Sequence, residues 1–154
     1  MDIQVVVASI EDLEVVVVLE RECFSSEAFS RQQLSYLLRD DHAICLIARV
    51  NGGKEVVGFV ILQLESDLVE GVVFGHVVTL NVAVVFRRRG VAQRLLLGCE
   101  EVLRLQGVFE CRLEVRQSNC VALELYRQMG YVEVGVLKKY YGKEHGLYLK
   151  KSFR

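Results

Sequence analysis

The 154-residue chain balances 19 Lys and Arg against 20 Asp and Glu, and 52% of its residues are hydrophobic. That length suits a single domain, residues 1–154, with a buried core, and the balanced charge excludes a general attraction to nucleic acid or an anionic membrane. Five cysteines, at positions 23, 45, 99, 111 and 120, form no C-x-x-C pair or zinc spacing, which reads as free thiols in a reducing compartment with no metal site.

The opening MDIQVVVASIEDLE places charges too early for a secretory core, and no apolar run approaches the ~20 residues of a membrane span. A soluble, cytoplasmic protein is expected. There is no proline or tryptophan, one threonine (Thr79) and 27 valines. Average usage would give roughly eight prolines, an imbalance that points to sequence engineering or an unusual lineage.

Residues 2–8 are valine-rich and predict a first strand. Ser9 and Asp12 have capping-box spacing ahead of a helical stripe of Ile10, Leu13, Val17 and Leu19. The β-branched run Val15–Val18 opposes that helix. A loop is expected over 24–29, and Ser30 with Gln33 starts a short second helix ended by Asp40-Asp41. An apolar strand over 43–50, the turn Asn51-Gly52-Gly53-Lys54 and a strand over about 55–65 form a hairpin.

The stretch from Gly75 to Leu97 runs from a valine-rich strand through the basic turn Arg87-Arg88-Arg89-Gly90 into an amphipathic helix. Turn amides and a helix N-terminus pointing outward together make an anion site, which three arginines would suit to a polyphosphate. That helix carries Val91, Leu95, Leu96, Cys99 and Leu103 on one face and ends at Gly107. Residues 110–116 alternate, with Cys111, Leu113 and Val115 opposite Glu110, Arg112, Glu114 and Arg116. Ser118-Asn119 caps a helix closed by Gly130, and strands over 131–137 and 147–152 flank a polar loop. The order β-α-α-β-β-β-α-β-α-β-β predicts a mixed α/β (α+β) domain.

Arg87-Arg88-Arg89-Gly90-Val91-Ala92 resembles the R/Q-x-x-G-x-G/A signature of the GNAT acetyltransferase superfamily. The block LEVRQSNCVALELYRQMGY, residues 113–131, resembles the L-x-V-R-x-S-N-x-x-A-x-x-L-Y-x-x-x-G-F motif of the RimI-like (Ard-like) protein N-terminal acetyltransferases. Lys139-Tyr140-Tyr141 is similar to that subfamily's K/N-Y-Y loop, and residues 23–30 to its first substrate loop. The sequence departs from the pattern at Val84, often proline, and at Ala28-Phe29, near a proline-tryptophan pair. The resemblance implies the GNAT fold: a mixed central sheet of about seven strands flanked by four helices.

The resemblance implies acetyl-CoA as donor, its pyrophosphate on the amides of Arg87, Arg88, Arg89, Gly90, Val91 and Ala92. Small residues at 90 and 92 would let the backbone approach the phosphates. Backbone N–H groups near Val82–Val84 would polarise the acetyl carbonyl where the strand splays from its neighbour. Asn119 would help hold the donor, and Tyr126, two helical turns on, would protonate the departing thiolate. Glu114 stands at the family's general-base position, whereas Glu110 and Arg112 read as a solvated strand face. An α-amine titrates near 7.7 to 8.0 and lysine near 10.4, a difference worth about 3.4 kcal/mol, so a carboxylate acting through water serves the former far better.

Phe24, Glu27, Phe29, Tyr140 and Tyr141 are candidate walls of a peptide groove, though paired tyrosines also pack across strands. His76, within an apolar strand, reads as a satisfied buried histidine, and the cysteines as small core residues. The expected reaction is acetyl transfer from acetyl-CoA to the α-amine of a protein N-terminus, on a ribosomal protein or nascent chains. A small-molecule amine acceptor, or a non-catalytic CoA- or partner-binding module, remain alternatives.

Overall fold

The computed structural model describes the backbone of residues 1–154 and every side chain except that of Ser25. Strand β1 is Ile3–Val7. Ser9 and Asp12 form the reciprocal capping box on a 3-10 turn at Ile10–Asp12, and helix α1 follows at Leu13–Phe24. The valine run stays helical because Val16 and Val17 are buried. Burying each is worth about 1.5–3 kcal/mol, more than the ≈ 0.7 kcal/mol at most by which a valine disfavours helix. The expected loop is shorter than read: α1 reaches Phe24 and a second 3-10 turn spans Ser25–Glu27.

Helix α2, Arg31–Arg39, begins at the Ser30–Gln33 capping box. Strands β2 (Ala43–Val50) and β3 (Val56–Asp67) flank a turn in which Asn51 and Gly52 both have positive φ, as a tight hairpin requires. Strand β4 is Val72–Val82, α3 Val91–Leu105, β5 Glu110–Arg116, α4 Cys120–Gln128, β6 Val132–Tyr141 and β7 Glu144–Ser152. The predicted loop before the last strand is a correction: β6 runs on through Tyr141 and only Gly142 and Lys143 separate it from β7. A register irregularity between Leu137 and Tyr141, with Lys139 at φ 52°, lets the ladder absorb the extra residues.

The seven strands form one sheet in the order β1-β2-β3-β4-β5-β7-β6, antiparallel everywhere except between β4 and β5. Helices α1 and α2 cover one face around Val16, Leu34, Ile47 and Phe59. Helices α3 and α4 cover the other around Leu95, Leu103, Leu113 and Leu123.

Two irregularities in β4 shape the centre of the sheet. The parallel pairing with β5 holds only at Gly75–Cys111 and His76–Arg112, so the sheet opens from Val77 onward. In the ladder with β3, Ile61 pairs with Thr79 but Leu62 with Val77, which makes Val78 an inserted residue. Such a bulge bends the strand beside the opening and re-aims the side chains after it. Gly75 is the first of the two paired positions, and a Cβ there would meet Leu103 Cδ1 of α3 at 2.7 Å.

Candidate active site

On the α3 side of the opening lies the basic turn. Helices α2 and α4 and the 3-10 turn before α1 all start with a side-chain cap, whereas α3 starts at Gly90 with none. Its first-turn N–H groups are therefore open to an anionic ligand. Gly90 sits at φ +86°, and a Cβ built there meets nothing within 4 Å. The left-handed backbone alone favours glycine at this position.

Arg88 (φ 62°) and Arg89 extend from the exposed turn, Arg89 over the Phe86 ring at 5.8 Å. Arg87 does not point with them. Its Nε donates to the Val82 carbonyl at 3.0 Å, and an NH2 group lies 3.4 Å from Cys23 Sγ. Val91 is buried at the first position of α3 and Ala92 packs beside the core.

The backbone donors expected near Val82–Val84 are largely occupied. Ala83 N–H bonds to the Val57 carbonyl at 2.8 Å, and Val84 N–H reaches Glu22 Oε1 at 3.3 Å. The splay itself begins at Val77, five residues before the position expected for it. Where β4 runs unpaired with β5, Thr79 Oγ1 and Asn81 Nδ2 both donate to Glu20 Oε1, at 2.7 and 2.9 Å. Asn81 Oδ1 is left buried without a partner among the described residues.

On the α1/α2 face, Glu114 projects from β5 opposite Leu113 and Val115 of the core. His76 of β4 meets it across the parting strands: Nε2 lies 2.8 and 2.9 Å from the two Glu114 oxygens, and Nδ1 lies 2.5 Å from Glu65 Oε2. Burial disfavours charge on the ring, but the hydrogen bond and charge of Glu114, and then those of Glu65, outweigh it and raise the His76 pKa above the ordinary value. Both ring nitrogens can donate at once only in the imidazolium.

Tyr126 of α4 belongs to the opposite, α3/α4 core and is 9% exposed. Burial first, then neighbouring Tyr141 and Cys111, push its pKa well above the usual tyrosine value, so its hydroxyl keeps its proton at neutral pH. Tyr141 lies near both Tyr126 and Glu114: burial, then Tyr140 and Glu114, push its pKa up to about 12. Asn119 caps α4, its Oδ1 accepting from Ala122 N–H at 3.2 Å, which leaves its amide NH2 for a ligand.

Of the candidate groove walls, Tyr140 and Tyr141 lie near Glu114. Tyr140 is exposed and packs edge-on to Tyr141 at 4.9 Å, where the hairpin turns into β7. Phe24 is exposed at the end of α1, and Phe29 N–H is held by Glu20 Oε2 at 3.0 Å. Glu27 pairs with Arg116 of β5.

The sequence profile of the acetyltransferase (GNAT) family matches residues 13–131. The chain belongs to this family. An N-alpha-acetyltransferase of Sulfurisphaera tokodaii is 34% identical over 119 residues, covering 73% of this chain and 70% of that protein. A ribosomal protein bS18-alanine N-acetyltransferase of Haemophilus ducreyi is 31% identical over 110 residues, covering 71% of this chain and 72% of that one. The crystal structure of the ribosomal-protein-S18-alanine N-acetyltransferase from Escherichia coli superposes with a TM-score of 0.83 at 21% identity, covering 98% of this chain and 94% of that chain. That likeness is one of fold.

In this GNAT domain the structure brings together Glu114, Tyr140, Tyr141, Phe29 and Glu27 on one side of the opening. Tyr126 and the uncapped start of α3 lie on the other. His76, Glu65 and Glu20 belong to the same region, and the sequence reading gave them no part in it. The available signal was an ionisable side chain within an apolar strand, but its partners stand 11 and 38 residues away. Among the described residues, no group of three His, Cys, Asp or Glu could hold a metal ion, and no helix is long and apolar enough to cross a membrane.

Proposed function

We propose that this GNAT acetyltransferase transfers the acetyl group of acetyl-CoA to the α-amine of a protein N-terminus by direct attack, with donor and acceptor bound together. The observation that carries this reading is the gap between β4 and β5, with Glu114 on its α1/α2 face and Tyr126 in the α4 layer behind it. When bound, acetyl-CoA supplies an activated thioester. The open N–H groups at the start of α3, with Arg88 and Arg89, suit its diphosphate. Glu114, through a water, takes a proton from the acceptor ammonium, and His76 and Glu65 steady the carboxylate. Tyr126, which keeps its proton at neutral pH, gives it to the leaving sulfur as the C–S bond breaks and regains one from solvent, since a phenol is a weaker acid than a thiol and the transfer alone is uphill.

The acceptor is the N-terminus of a ribosomal protein or of nascent chains, and the location a reducing cytoplasm. The activities for which the Sulfurisphaera and Haemophilus relatives are named support an α-amine acceptor. The five free cysteines suit the compartment. Mass spectrometry of a peptide library with free and blocked N-termini tests this: only free α-amines should gain acetyl. Glu114→Gln and Tyr126→Phe should each lower kcat by about 10²-fold or more. Acetylation of a polyamine but of no peptide would overturn the acceptor. Unchanged kcat in both variants would overturn the roles, and donor binding without turnover would make the protein a binding module.

A further inference from the structure

Arg116 lies two residues beyond Glu114 and shares its face of β5. Its guanidinium pairs with Glu27, in the segment between α1 and α2, and with Glu144 of β7 at 3.4 Å. It also covers the Tyr141 ring, 4.4 Å from the centroid. One side chain thus touches both walls of the acceptor groove. The two walls are not held alike. The hairpin of β6 and β7 is tied to β5 by the whole β5–β7 ladder and by Gln117 N–H to the His145 carbonyl. Residues 26–29 reach β5 among the described residues through Glu27 and Arg116, and are otherwise anchored by Phe29 N–H on Glu20.

We infer that Arg116 is a positioning residue: it clasps residues 26–29 to the β6–β7 hairpin and so fixes the width of the groove that receives the acceptor peptide. The inference rests on the acceptor reading above. A planar guanidinium suits this place, since it can bind two carboxylates and stack on a ring at once, as an ammonium cannot. The contacts sit near the surface, where single ion pairs are weak and a network with stacking is worth more. Loss of the clasp leaves Glu114, His76 and Tyr126 in place, so it alters acceptor binding more than the chemical step.

The test compares wild type with Arg116→Met, Arg116→Lys, Glu27→Gln and the Glu27→Gln, Arg116→Met double variant, using the library peptide that wild type acetylates best. Arg116→Met should raise the peptide KM about fivefold to tenfold, exceed any fall in kcat, and leave the acetyl-CoA KM within about twofold. Arg116→Lys should recover part of the loss, and the double variant should be no worse than Arg116→Met alone, because both remove the same contact. Amide hydrogen exchange of residues 26–30 should quicken in Arg116→Met while that of the α3 core does not. An unchanged peptide KM, a parallel rise in both KM values, additive losses or unchanged exchange over 26–30 would each overturn the clasp. If wild type acetylates no N-terminal peptide, the acceptor reading fails by itself, and the exchange comparison still decides the clasp.

Discussion

Glu20 offers the most direct test of how the acceptor side is held. Its carboxylate is 1% exposed and accepts three hydrogen bonds, from Thr79 Oγ1 at 2.7 Å, Asn81 Nδ2 at 2.9 Å and Phe29 N at 3.0 Å. These join α1, the unpaired end of β4 and the start of the α2 wall. In Glu20→Gln one oxygen becomes an NH2 group, so at least one donor faces another donor. A hydrogen bond to a charged group contributes about 1.5–3 kcal/mol, and the relaxed variant should lose about 2–3 kcal/mol. For a domain of this size that is a fall in Tm of roughly 5–10 °C. The amide most easily released is Phe29 N–H, because Thr79 and Asn81 are fixed in a strand. The peptide KM should therefore rise while the acetyl-CoA KM moves little. Calorimetry at neutral pH and two-substrate kinetics read both effects. A Tm within about 2 °C of wild type would refute the three-donor account.

The raised pKa of His76 sets a pH dependence of stability. A histidine whose folded pKa lies above its unfolded value contributes stability fully present below about pH 6.5 and lost as pH rises through the folded pKa. Chemical denaturation of wild type should show this loss, and His76→Gln should be flatter over the same range; parallel profiles would contradict the ion-pair geometry. Gly90→Ala should cost about 1–2 kcal/mol, from the left-handed backbone alone, since its methyl meets nothing. Isothermal titration should show weaker acetyl-CoA binding as the first turn of α3 rotates, and unaltered affinity would remove these N–H groups from the donor site.

Much of the fold was legible because its signals are local. The Ser9 and Ser30 boxes, the Asn51-Gly52 turn and the alternation over 110–116 each act within a few residues, and together they indicate the order of elements and put Glu114 on the polar face of β5. The element limits were less secure wherever packing outweighed propensity, as in the valine run of α1, or where a bulge extended a ladder, as in β6.

What only the tertiary structure decided are contacts between residues far apart in the chain. His76 meets Glu114 across 38 residues, Glu20 meets Thr79 and Asn81 across 59 and 61, and Arg116 meets Glu27 across 89. His76 stands where a parallel pairing stops after two residues, and Thr79 and Asn81 lie just beyond the residue inserted at Val78. No residue type encodes either feature, since both follow from how neighbouring strands twist and pack. The sequence by itself determined the elements and which residues can carry a proton or meet an anion. The folded sheet decided which of them meet: it opened a gap, set His76 and Glu65 beside Glu114, and turned Arg87 back onto Val82.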